Sequence, residues 1–168
     1  MKKTLLALGL GLGIASSAVH ANTGSIRFEG QVTSGTCSIE ITDPSSGLPL
    51  ARVPMGNVPA SHFTAVGQEF GHRAFGMRIT PGAGCDTSVT NKGVVNFRSF
   101  FGPAGAADDL HALEPGSANG LALAIKDESQ QLIPFGTDSK EYDLDDTDPT
   151  NIMFIANYKS TAATVTAG

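Results

Sequence analysis

The sequence predicts an all-β sandwich. Three observations point there. Apolar residues recur with period two in several short runs, as in half-buried strands. Gly, Pro, Asn and Asp punctuate those runs at spacings of about 10 to 20 residues. No segment sustains a helical period over about 12 residues or more.

The first 21 residues stand apart from that pattern. Lys2 and Lys3 form a positive start, Leu5 to Val19 is uncharged and mostly apolar, and Val19-His20-Ala21 is a small-residue cleavage site. This is a secretory signal peptide, expected to be removed after Ala21. It is too short for a transmembrane span, which needs roughly 20 apolar residues. Removing it takes two lysines away, so nine basic residues face sixteen acidic ones and the net charge moves from −5 to −7. An acidic surface without basic clusters argues against nucleic acid and anionic membranes as partners.

The mature chain then opens with NTGSIRFEGQV. Ile26, Phe28, Gly30 and Val32 fall on one face and Arg27, Glu29 and Gln31 on the other. Ser34-Gly35 cuts this strand from the body, and a second alternating run begins with Cys37, Ile39 and Ile41. An apolar strand placed ahead of the domain reads as an arm that pairs outside its own fold. Cys37 and Cys85 are the only cysteines. In an exported domain such a pair is a disulfide, closing a loop of about 48 residues that contributes about 4 kcal/mol in the chain-entropy model.

The body follows as short runs. Asp43 to Pro49 is a turn-rich loop; Val53, Met55 and Val58 flank Gly56 in a short strand with a bend at the glycine. Phe75, Met77 and Ile79 alternate on the way to Cys85, and Val95 and Phe97 mark another strand. Gly102 to Asn119 is small and polar, a long surface loop with room for one helical turn. Leu121, Leu123 and Ile125 share a face, and a polar turn at Asp127 to Gln131 returns the chain through Leu132 to Phe135 as a hairpin. Ile152 to Asn157 is apolar on both faces and therefore central, and Thr164-Val165-Thr166 opens one more run.

Catalytic chemistry is hard to assemble from these residues. There is no nucleophile elbow, and both cysteines are consumed in the disulfide. His62, His72 and His111 are scattered and read as surface or edge residues. The acidic run Asp143, Asp145, Asp146 and Asp148 lacks the central Gly and distal Glu of a calcium loop and reads as a solvated turn. Phe100-Phe101 reads as a buried strand end rather than a sticky patch. No enzyme activity, cofactor or metal is expected.

In order along the chain, the signal peptide, GSIRFEGQV ahead of CSIEI, VPMGNV, FGMRIT with a Cys after it, GVVNF, NGLALAIKD and NIMFIANYKSTAATVTAG resemble the chaperone–usher fimbrial subunits, specifically the single-domain type 1 pilins. The resemblance covers essentially the whole mature chain. It implies an incomplete immunoglobulin-like β-sandwich, missing its seventh strand, with an N-terminal donor-strand arm. Residues 1–21 would be the signal peptide, 22–33 the arm and 34–168 the pilin domain. It also implies that Ile26, Phe28, Gly30 and Val32 are donor positions for a neighbour's groove, with Gly30 where no side chain fits. The implied partners are neighbouring pilin subunits, a periplasmic chaperone and an outer-membrane usher. The implied role is a structural subunit of a surface fimbria supporting cell adhesion, and export runs through the periplasm. Family members continue past VTAG into a last strand that borders the groove; here the sequence ends at Gly168, so that strand is expected to be missing. A minor or adaptor subunit, or a stand-alone secreted β-sandwich binding protein, are the competing readings.

Overall fold

A computed structural model describes residues 24–26, 37–85 and 91–168. The expected signal peptide, Phe28, Gly30, Val32 and the remainder of the arm lie outside the described residues. In chain order the strands are β1 (Gly24–Ile26), β2 (Ser38–Thr42), β3 (Val53–Gly56), β4 (Glu69–Thr80), β5 (Lys92–Gly93), β6 (Pro103–Ala104), β7 (Leu110–His111), β8 (Leu121–Asp127), β9 (Tyr142–Asp143) and β10 (Thr150–Ser160). One 3₁₀ turn, Ala60–His62, is the only helical element among the described residues. The all-β expectation stands.

One layer is a six-stranded sheet in the order β2-β4-β10-β8-β7-β6. β10 pairs antiparallel with β4 on one side and β8 on the other, from Thr150↔Ile79 to Ser160↔Leu121. A strand inside a sheet and under a second layer buries both faces, and Ile152, Phe154, Ile155, Ala156 and Asn157 are all buried. Across these three strands Glu69 accepts from Lys126 at 2.6 Å and from Lys159 at 3.5 Å. The second layer is made of two short pairs, β1-β3 and β5-β9.

The layers meet in an aromatic cluster. Phe154 of β10 has no exposure, and Phe75 and Phe97 stand 5.6 and 5.0 Å from it, ring centre to ring centre. Tyr142 completes the group at 5.9 Å. Phe97 and Tyr142 meet Phe154 edge to face, which adds to the gain from area burial. Val53, Met55, Met77, Ile79, Val95, Leu123, Ile125, Ile133 and Ile152 fill the rest of the core.

Two anchors fix the long connections. Cys37 and Cys85 are joined by a disulfide that ties the start of β2 to the segment after β4, where Ser38 and Thr80 are already in register. Ser160, 2 % exposed, donates its hydroxyl to the Ala65 carbonyl at 2.6 Å and accepts from the Gln68 amide at 3.0 Å, holding the loop before β4.

Three expectations are corrected. Gly102 to Asn119 is not a plain surface loop: it holds β6 and β7, with Leu110 packed on Ala122 and Ala124. Left-handed backbone at Gly105 (φ 84°) and Asp108 (φ 54°) turns the chain between the two strands, and this chemistry is quiet in a small-residue stretch. His111 is no surface residue but is buried within β7. Phe100, conversely, is 93 % exposed and Phe101 44 %, because the chain turns from Ser99 to Gly102 instead of continuing as a strand.

The disulfide closes a sequence separation of 48 residues. Replacing both cysteines by serine is expected to cost about 2–5 kcal/mol. Urea unfolding should show this as a lower midpoint with little change in far-ultraviolet circular dichroism before the transition.

Candidate functional site: two strand edges over one core

β3 is built to lie on the core and be paired at its side. Val53 and Met55 point inward, at 0 % and 3 % exposure, while Pro54 is exposed. Proline has no N–H, so it suits an edge strand and not the middle of a sheet. Gly56 ends the strand with φ +72°, a left-handed turn that a side chain resists. Here the bend expected at this glycine is found.

β1 runs antiparallel along β3, with Gly24 opposite Gly56, Ser25 opposite Pro54 and Ile26 opposite Val53. Within one chain, then, the first described residues of the arm lie on the chain's own β3. Ile26 is the one predicted donor position among the described residues.

The second edge belongs to the segment 92–98. Val95 and Phe97 point into the core, and their backbones bond across to the segment 136–139: Ser139 N–H donates to the Val95 carbonyl, Ser139 Oγ accepts from Val95 N–H, and Gly136 N–H donates to the Phe97 carbonyl. Asn96 faces Asp138 in the same pairing. The opposite side, carrying the backbone groups of Val94, Asn96 and Arg98, has no backbone partner among the described residues. Tyr142 sits beneath this layer with Lys140 5.3 Å above its ring. Its hydroxyl is buried without a partner among the described residues, and burial, with Asp127 next, raises its pKa. Sequence reasoning gave Tyr142 no role; alternation in KEYDL, at Tyr142 and Leu144, was the available signal.

So β3 and the segment 92–98 place side chains in one core, yet no ladder joins them among the described residues. An arrangement like this binds strands. Backbone donors and acceptors supply affinity, and alternate side chains supply register. The acidic run is occupied with its own turn: Asp145 accepts from the amides of Thr147 and Asp148 at 2.9 and 2.8 Å, which lowers its pKa, and Asp143 pairs with Lys92. No group of three or more metal-ligating side chains occurs among the described residues.

Comparison with known proteins gives this geometry its setting. The family model "Fimbrial protein" matches residues 26–168. The chain belongs to the fimbrial protein family. It is 31% identical to the "Probable major fimbrial subunit LpfA" of Escherichia coli O157:H7, over 100% of this chain and 90% of that one. The crystal structure of an antigen and type I fimbria protein of Burkholderia pseudomallei is 27% identical, with a TM-score of 0.52, over 88% of this chain and 90% of that one. A chaperone–usher pilus structure shares the fold at a TM-score of 0.50 and 16% identity, over 99% of this chain and 92% of that one. The sandwich is of the immunoglobulin-like pilin type, and the chain is a structural subunit of a cell-surface fimbria.

The alternation in β3 sets a testable contrast. Met55→Ala should cost about 2–5 kcal/mol of stability, and Pro54→Ala should stay within about 0.5 kcal/mol. Denaturant titrations of the two variants measure both.

Proposed function

We propose that the subunit polymerises head to tail by donor-strand exchange, its arm entering the gap between β3 and the segment 92–98 of the next copy. The single observation that carries this reading is the pair of strand edges over one core with no ladder between them among the described residues. The β1–β3 ladder supports it, since that edge of β3 accepts an extended segment. Ile26, Phe28 and Val32 are the side chains that would enter the core, and Gly30 stands where the donor crosses the tightest point. Full burial of the three would contribute roughly 5–9 kcal/mol before ordering costs. Donation from one copy to the next is heterologous and does not close, so it yields a fibre and not a dimer.

The same gap is the surface a periplasmic chaperone would cover before assembly at an outer-membrane usher, after export and cleavage at Ala21. An uncovered edge over apolar side chains would otherwise aggregate. The subunit contributes as a structural element of an adhesive fibre, with no enzymatic step.

Deleting Asn22 to Val32 should abolish filaments while the subunit still co-purifies with its chaperone. Filament yield equal to the parent chain's would overturn the proposal. Gly30→Leu should give the intermediate result, a folded subunit with sharply reduced filament yield in sedimentation.

A further inference from the structure

The turn that exposes two phenylalanines is held by the strand that buries a histidine. Ser99 Oγ donates to the Ala112 carbonyl at 2.7 Å and accepts from the Phe101 amide at 3.1 Å. The Ala112 amide in turn donates to the Gly102 carbonyl at 3.0 Å, and the Gly102 amide to the Ser99 carbonyl at 3.2 Å. Two of these four hydrogen bonds close the turn that carries Phe100 and Phe101, whose rings meet edge to face at 5.5 Å, and the other two tie it to the residue directly after His111.

His111 is 3 % exposed. Its register partners are Pro103 of β6 and Leu123 of β8, its ring meets Phe135 at 5.5 Å, and its Nε2 has no hydrogen-bond partner among the described residues. None of Pro103, Leu123, Ile133 and Phe135 titrates. Charged residues near it along its own segment are Asp108, Asp109 and Glu114. On β8, Lys126 and Asp127 lie three and four residues past Leu123; Lys126 pairs with Glu69, and Asp127 caps the Ser129 and Gln131 amides and faces Lys140. Beyond that turn, Glu128 pairs with Lys140, and Arg98 at the entry to the aromatic turn bonds Asn96. Among the described residues no carboxylate is bonded to the ring, so a protonated imidazole would sit in an apolar site with an N–H unsatisfied.

We propose that His111 is a proton-sensitive latch: acidification charges the ring, lifts β6 and β7 from β8, and releases the Phe100–Phe101 turn. Burial lowers the His111 pKa, with the Ile133 carbonyl opposing in part. The open form therefore takes up the proton more readily than the closed one. Closure is fully favoured above about pH 6.5 and weakens as pH falls toward the closed-state value, the open fraction rising by up to about tenfold per pH unit. His62 and His72, both exposed, have no such burial to reverse.

Hydrogen exchange of the full secreted chain, corrected for intrinsic rates, tests this at pH 7.5 and 4.5. Protection of residues 99–112 should be lost on acidification while residues 152–158 hold theirs, and His111→Leu should remove the pH dependence. A flat wild-type response in 99–112, or the same loss in the Leu variant, would overturn the latch. Should the Leu variant not fold, the His111 ring proton is followed by NMR in the unmodified chain. A midpoint below 6.5 that coincides with shifts of the Phe100 and Phe101 amides is the expected result. An ordinary midpoint with unmoved amides overturns it. Neither readout needs filaments, so its failure is separable from a failure of donor-strand exchange.

Discussion

Backbone groups at the side of a strand must be bonded or wetted, and core side chains must be kept dry. β3 and the segment 92–98 bring those two demands into conflict. Val53, Met55, Val95 and Phe97 are buried in one core, but among the described residues no ladder joins the two edges over it. A complete sandwich would settle the matter with another strand of its own. Under the proposed donor-strand exchange it would be settled by an extended segment brought from the next copy, with the rest of the molecule as the platform that carries the two edges.

That platform is rigid for identifiable reasons. β10 pairs along most of its length with β4 and β8, so the strand carrying Phe154 cannot shift without breaking two ladders. The aromatic cluster then positions Phe97 and Tyr142 of the second layer against Phe154. The disulfide restrains β2 against the end of β4. Stability is concentrated in the six-stranded sheet, while the second layer remains two short pairs joined to it through side chains. This division suits a subunit whose second layer is finished by a neighbour.

Much of the fold was legible because its strands obey period two. Val53/Met55, Phe75/Met77/Ile79, Leu123/Ile125 and the doubly apolar Ile152–Asn157 are buried as their pattern implies. β4 reached further than expected, back to Glu69, because Glu-Phe-Gly-His-Arg-Ala has no apolar alternation and is drawn into the sheet by pairing with Tyr158 and Lys159. The hairpin of β6 and β7 was missed for a related reason: its strands are two residues long, and its burial rests on Leu110 and His111 alone. Phe100 and Phe101 misled in the other direction, since hydrophobicity favours burial and only the Ser99–Gly102 turn says otherwise. As for the site, the alternation of Ile26, Phe28, Gly30 and Val32 is the sequence feature behind the proposed donor arm. The gap itself was not, since an unpaired edge is a property of topology and leaves no mark on residue pattern.

The measurement that bears most directly on strand donation is a photo-cross-linking experiment on filaments grown from equal amounts of isotopically light and heavy subunits. A photoreactive residue replaces Phe28 in both. If the arm is donated, cross-linked peptides joining position 28 to residues 53–56 or 92–98 will include light–heavy pairs at about the statistical half. If every such pair is light–light or heavy–heavy, the arm completes its own subunit, and the fibre is held together by some other contact.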